Sequence, residues 1–221
     1  MKVILFGASG MVGQGVLREC LLDPAVTQIL TVGRRADAPP DTKLTQIVHR
    51  DFFDFNDIEP QLSGYDACFF CLGVSSGFMR EQQYAHLTYD LTLAAARTMS
   101  RINPGMTFVY VSGAGTDSTE QGRSMWARVK GRTENALLKL PFKAAYMLRP
   151  GAIQPLHGVR SKTALYQAIY SVTRPLLPAL RALFPGQITT TEHLGRVMIA
   201  LARDGYAKPI LEARDITALN P

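Results

Sequence analysis

The sequence predicts an α/β fold built on a doubly wound parallel sheet, and three observations carry that prediction. Short apolar, β-branched or aromatic runs alternate with longer segments of helical period, as repeated β-α units require. The chain opens on one such run, Val3-Ile4-Leu5-Phe6, followed at once by a glycine-rich turn and a helical segment. Its 221 residues, 47% hydrophobic and 19% charged, suit one compact unit with a sizeable core. Disorder and collagen-like repeats are excluded on the same figures.

Strands are expected at residues 3–6, 28–32, 44–48, 67–72, 107–111, 143–148 and 209–212, each a short apolar or β-branched run. Helices are expected at 11–22, 55–62, 80–100, 124–140 and 192–202, where apolar residues recur at helical spacing. Their ends carry punctuation: Asp23-Pro24 after the first, Asn103-Pro104-Gly105 after the third, and Thr191 as N-cap before Glu192. The alternation weakens after Ile153, and the proline, glycine and basic residues of 154–185 suggest a small irregular or helical cap. No linker divides residues 1–221, so the cap is read as part of one domain, laid on the carboxyl ends of the strands, where open α/β sheets bind ligands.

The turn Gly7-Ala8-Ser9-Gly10-Met11-Val12-Gly13 carries the clearest chemistry. Gly7 permits a tight turn, Gly10 lets backbone approach a pyrophosphate, and Gly13 lets the helix pack closely on the strand. Free amides and the positive end of the helix dipole then meet phosphate, so Gly7, Ser9, Gly10, Met11, Val12 and Gly13 are the candidate dinucleotide-binding residues. After the second strand stand Arg34 and Arg35, with no acid until Asp37. A guanidinium grips a 2′-phosphate where a carboxylate would accept ribose hydroxyls, which favours NADP over NAD. Asp51 is placed to meet the adenine amino group or to start a turn, and Phe52 to flank the adenine ring. Leu72, Gly73 and Val74 close the fourth strand, where Gly73 would let backbone pass near the middle of the cofactor.

The balance of 24 Lys and Arg against 18 Asp and Glu, a formal charge of +6, favours polyanionic partners. The basic residues are dispersed, without a cluster or aromatic interleaving, so nucleic acid is set aside as a partner. Cys20, Cys68 and Cys71 are an odd set, and Cys68 and Cys71 lie three apart in a strand, facing opposite ways; they are read as buried structural thiols. Residues 164–184 are apolar but broken by Arg174, Pro175, Pro178 and Arg181, which excludes a membrane span and leaves a membrane-surface role as a minor alternative. No secretory signal is legible at Met1-Lys2-Val3, and a cytoplasmic setting is expected. The four histidines are scattered, so no metal site is expected.

These residues resemble the short-chain dehydrogenase/reductase superfamily, with its NAD(P)-binding Rossmann fold, and within it the atypical branch close to the Tat-interacting oxidoreductase-like and NmrA-like proteins. The glycine spacing, then Val109-Tyr110-Val111-Ser112-Gly113-Ala114-Gly115, Val129-Lys130-Gly131 with Glu134, and Leu148-Arg149-Pro150-Gly151 follow the family blocks in order. The resemblance implies that Lys130 binds the nicotinamide ribose and that Ser112 touches cofactor or substrate, making these two the candidate catalytic residues. It implies also that Pro150, Gly151 and Ala152 border the nicotinamide. Where active members carry a tyrosine four residues before the lysine, this chain has Trp126. An indole N–H donates a hydrogen bond but does not titrate as a phenol does. A proton would then come from Lys130, bound water, or Tyr84, Tyr89 or Tyr166. His157 is the histidine nearest the expected cap, and its ordinary reading is a turn or surface residue.

Two functions stay open at this stage: an NADP-dependent oxidoreductase acting on a small molecule with a non-standard proton donor, or a catalytically impaired NADP(H)-binding sensor or scaffold with a protein partner. The oligomeric state is not legible, since Leu87, Leu91 and Ala94 to Ala96 suit a partner subunit or the sheet equally.

Overall fold

A computed structural model describes residues 1–158 and 186–221 of the chain. Seven strands form one parallel sheet: β1 (Lys2–Phe6), β2 (Gln28–Gly33), β3 (Leu44–Val48), β4 (Ala67–Phe70), β5 (Thr107–Val111), β6 (Ala144–Arg149) and β9 (Ile210–Glu212). They lie in the order β3-β2-β1-β4-β5-β6-β9. The chain runs outward from β1 through β2 to β3 and then returns to pair β4 with β1. That reversal opens the crevice at the carboxyl ends of β1 and β4 in which this architecture seats ligands.

Alternation along β1 divides the core. Val3 and Leu5 face one apolar cluster with α1 (Met11–Leu22) and α5 (Thr191–Asp204). Ile4 and Phe6 face another, with α3 (Leu91–Ile102) and α4 (Met125–Leu137). A strand apolar at every position is therefore buried on both faces, as parallel sheets demand. Cys68 and Cys71 fall on opposite sides of this division, and burial pushes their thiols up, as for structural residues.

Several boundaries differ from expectation for local reasons. Residues 55–62 form only a 3-10 turn, Glu59–Leu62, because Asp51 and Asp54 cap Phe53 and Asn56 in turns and Pro60 supplies no amide. The segment 80–100 is three pieces: α2 (Glu81–Ala85), a π turn (His86–Asp90) and α3. β4 stops at Phe70, two residues early, where the Gly7 turn crowds the backbone of Cys71. Thr190, not Thr191, caps α5, its hydroxyl accepting from the His193 amide at 3.0 Å. Leu91 and Ala94 to Ala96 pack on the sheet.

Three short elements escaped the sequence reading: β7 (Ala152–Gln154) and β8 (Ile188–Thr190), a parallel pair, and α6 (Ala213–Ala218), closed by a reciprocal Glu212–Asp215 capping box. Most of the expected cap at 154–185, the segment 164–184 and Tyr166 included, lies outside the described residues; β7 and β8 stand at its root. No described helix is long and apolar enough to cross a membrane.

Candidate dinucleotide site

The site is built from the glycine turn. Gly7 adopts φ +83°, and a Cβ there would stand 2.7 Å from the Cys71 carbonyl carbon. At Gly13 a Cβ would stand 2.0 Å from the Gly7 carbonyl oxygen, so α1 can enter this close to β1 only without a side chain. Gly10 is the N-cap and offers no side chain to the first amides, and the first turn of α1 carries no acid. The start of α1 is an uncapped set of donors at the positive end of a helix dipole, a surface suited to phosphate.

Arg34 and Arg35 stand exposed in the bend after β2, without an ion-pair partner among the described residues. Asp51 is exposed and accepts from the Phe53 amide at 2.9 Å. Phe52 departs from expectation: its ring is 7% exposed and packs edge-on against Phe6 and Phe55, so it presents no face to an adenine. Its neighbour Phe53 carries the exposed ring, stacked on His86 at 4.4 Å. Leu72 is half-buried, and Gly73 and Val74 are exposed beside the turn.

Lys130 lies on α4, half-buried, and its Nζ donates to the Ser112 carbonyl at 3.0 Å and sits 5.5 Å from the centre of the Tyr110 ring. Burial holds its amine down at about 8. Ser112 turns its hydroxyl inward, donating to Glu134 and to the Leu148 carbonyl at 3.2 Å. Glu134 has no exposure and is gripped by Arg149, which also reaches Ser118 at 2.5 Å and Glu212 at 2.8 Å. Ser112 and Arg149 thus belong to a buried ion-pair network that ties β5, β6 and α4 together, and the Ser112 hydroxyl is spent on it.

Among the tyrosines, Tyr84 and Tyr110 are buried and burial pushes their hydroxyls up, whereas Tyr89 lies under the Arg132 guanidinium at 4.0 Å. Tyr110, beneath Lys130, is the residue that spacing did not single out: its neighbours Val109 and Val111 read as strand core, and so did it. Trp126 is half-buried one turn before Lys130, its ring laid against Gly115. Pro150 accepts from the Ala114 amide at 2.9 Å, and Gly151 approaches the Gln187 carbonyl so closely that a Cβ would stand 2.3 Å from it. Ala152 is exposed at the same edge. His157, at φ +56°, pairs with Glu192 at 2.5 Å, a surface contact.

No family model matches the chain. It is 30% identical over 213 residues to protein fmp52-1, mitochondrial, of Aspergillus oryzae, covering 92% of this chain and 79% of that one. It is 32% identical over 160 residues to protein fmp52, mitochondrial, of Emericella nidulans, covering 69% of this chain and 66% of that one, just under two thirds of the relative's length. Among solved structures it is similar to a short chain dehydrogenase family protein from Francisella tularensis, with TM-score 0.65, 16% identity and 96% and 95% of the two chains covered. It is similar also to DesIV, a dTDP-glucose 4,6-dehydratase from Streptomyces venezuelae with NAD bound, with TM-score 0.68, 17% identity and 96% and 75% covered. These likenesses show the Rossmann fold of that superfamily. The relatives' names also overturn the cytoplasmic expectation, since they are called mitochondrial. A missing secretory signal speaks only to the secretory route and never bore on that compartment.

Proposed function

The chain belongs to the fmp52 family, and on that premise we propose that it is an NADP(H)-dependent oxidoreductase of the atypical short-chain branch, acting on a small molecule. The observation that carries this reading is the uncapped glycine turn opening α1, with no acid in its first turn, followed by two exposed arginines after β2 that have no ion-pair partner among the described residues. Gly7, Ser9, Gly10, Met11, Val12 and Gly13 hold the pyrophosphate, and Arg34 and Arg35 take the 2′-phosphate. Asp51 meets the adenine, Leu72, Gly73 and Val74 pass near the middle of the cofactor, and Pro150, Gly151 and Ala152 border the nicotinamide. A bound reduced nicotinamide supplies a hydride.

The protein's own part is to orient the substrate and to hold a proton. Trp126 takes the place of a catalytic tyrosine and contributes an N–H donor that cannot titrate. Lys130 holds the ribose and keeps a proton on Nζ whose release neutral solution permits, because burial has lowered its affinity to about 8. Ser112 contributes its backbone carbonyl, which fixes the lysine, and not its hydroxyl.

The test is NADPH oxidation across a panel of carbonyl compounds, with Lys130→Met beside the wild type. Expected are a kcat that falls as pH rises through about 8, where Lys130 loses its proton, and a loss of roughly a hundredfold or more in the variant. Tight NADPH binding with no turnover above background would replace this reading with that of a cofactor-binding sensor.

A further inference from the structure

Resting on that reading, we propose that the substrate is a planar conjugated carbonyl compound of the quinone class, seated on the face of the Trp126 indole. Trp126 is held by bare backbone. A Cβ at Gly115 would lie 3.5 Å from Cη2 and 3.8 Å from Cζ2 of the indole, and Gly115 itself is at φ +85°, a conformation that side chains avoid. The ring is half-buried; among the described residues no aromatic stacks on it and its N–H donates to nothing. At Gly113, at the head of the same turn, a Cβ would meet no atom of the described residues within 4 Å, so none of them fills the space there. A large, fixed aromatic face with a free edge donor beside open space suits a flat, electron-poor ring bearing an oxygen.

Proton chemistry points the same way. Reduction of an isolated ketone leaves a localised, strongly basic alkoxide that needs an acid in contact with the oxygen. The group beside the substrate here is an indole N–H, which steadies an anion without neutralising it. Among the described residues the candidate phenols are withdrawn: Tyr84 and Tyr110 are buried in the core and Tyr89 is covered by Arg132. Lys130 lies one turn from Trp126 with Nζ engaged by the Ser112 carbonyl, so its proton follows the hydride instead of accompanying it. A quinone tolerates that order, because its reduced anion is spread over the ring. The quinone gains a hydride, two electrons and one proton, from the reduced nicotinamide, and a second proton from Lys130, which solvent restores. The products are the hydroquinone and the oxidised nicotinamide.

Calorimetric titration of the whole chain tests this, first with NADPH, then with duroquinone and with a saturated cyclohexanone bearing the same methyl groups, each with the oxidised cofactor NADP+ present. Duroquinone is expected to bind about tenfold or more tightly than the saturated ketone. Trp126→Phe should keep most of that preference and Trp126→Leu should lose it, the preference being the ratio of the two affinities measured within each variant at saturating NADP+. Equal binding of the flat and saturated rings in the wild type, no duroquinone binding, or a preference that survives in Trp126→Leu would overturn the assignment. Failure of NADPH itself to bind would instead overturn the cofactor reading on which it rests.

Discussion

Glu134 is the residue on which the interior turns. It has no exposure, and it is satisfied by Arg149, 7% exposed, and by the Ser112 hydroxyl. Glu134→Gln leaves the buried guanidinium with the exposed Glu212 as its remaining carboxylate among the described residues, and a loss of about 3 kcal/mol in denaturant unfolding is expected. Lys130 gives a signature of opposite kind. Its proton is released near 8 in the folded chain but near 10.4 when unfolded, so between these values the unfolded state binds more protons. Folding stability should therefore rise with pH across that window and level off outside it, and Lys130→Met should abolish the rise. Both residues were legible in sequence, Lys130 by its block and Glu134 four positions on. The direction of the Ser112 hydroxyl was not, because a serine at a strand end serves a turn, an ion pair or a ligand equally well, and only the third dimension brings Glu134 and Arg149 beneath it.

At the scale of the element, α1 is fastened at its start and along one side by missing side chains. Gly13 lets it meet the Gly7 turn, and Gly15 and Gly195 let it lie against α5, where a Cβ at Gly15 would stand 2.5 Å from Cβ of Thr191. Gly13→Ala should cost about 1–3 kcal/mol through overpacking and also weaken cofactor binding, whereas Gly15→Ala should show the stability loss alone. Thermal melting paired with NADPH titration separates the two. The limits of α1 were readable because the glycine turn and Asp23-Pro24 bracket a periodic segment. The break in 80–100 was not, since a π turn inserts one residue into an otherwise continuous helical pattern and leaves no proline or glycine to mark it. Phe52 and Phe53 show the same limit: adjacent phenylalanines are equivalent in sequence, and the Asp51 turn decides which one enters the core.

For the whole molecule, the reversal of strand order between β1 and β4 gathers the glycine turn, the arginines after β2 and the β4 and β5 loops at one edge of the sheet. The topology follows from the regular β-α alternation. The pairing of β7 with β8 did not, being made of three-residue strands too short to show a period. Replacing Arg34 and Arg35 together by alanine should weaken NADPH binding roughly tenfold to a hundredfold and leave NADH nearly unchanged, because only the former carries the phosphate that the guanidinium groups take. The most direct measurement uses Trp126, the only tryptophan in the chain. NADPH and NADH are titrated separately while Trp126 is excited, following its quenching and the sensitised emission of the reduced nicotinamide. Saturable energy transfer with tighter binding of NADPH is expected, since it requires the nicotinamide to be held within transfer distance of the indole and the 2′-phosphate to be recognised. No saturable response to either nucleotide in the folded protein would contradict the cofactor site and leave the glycine turn as scaffold.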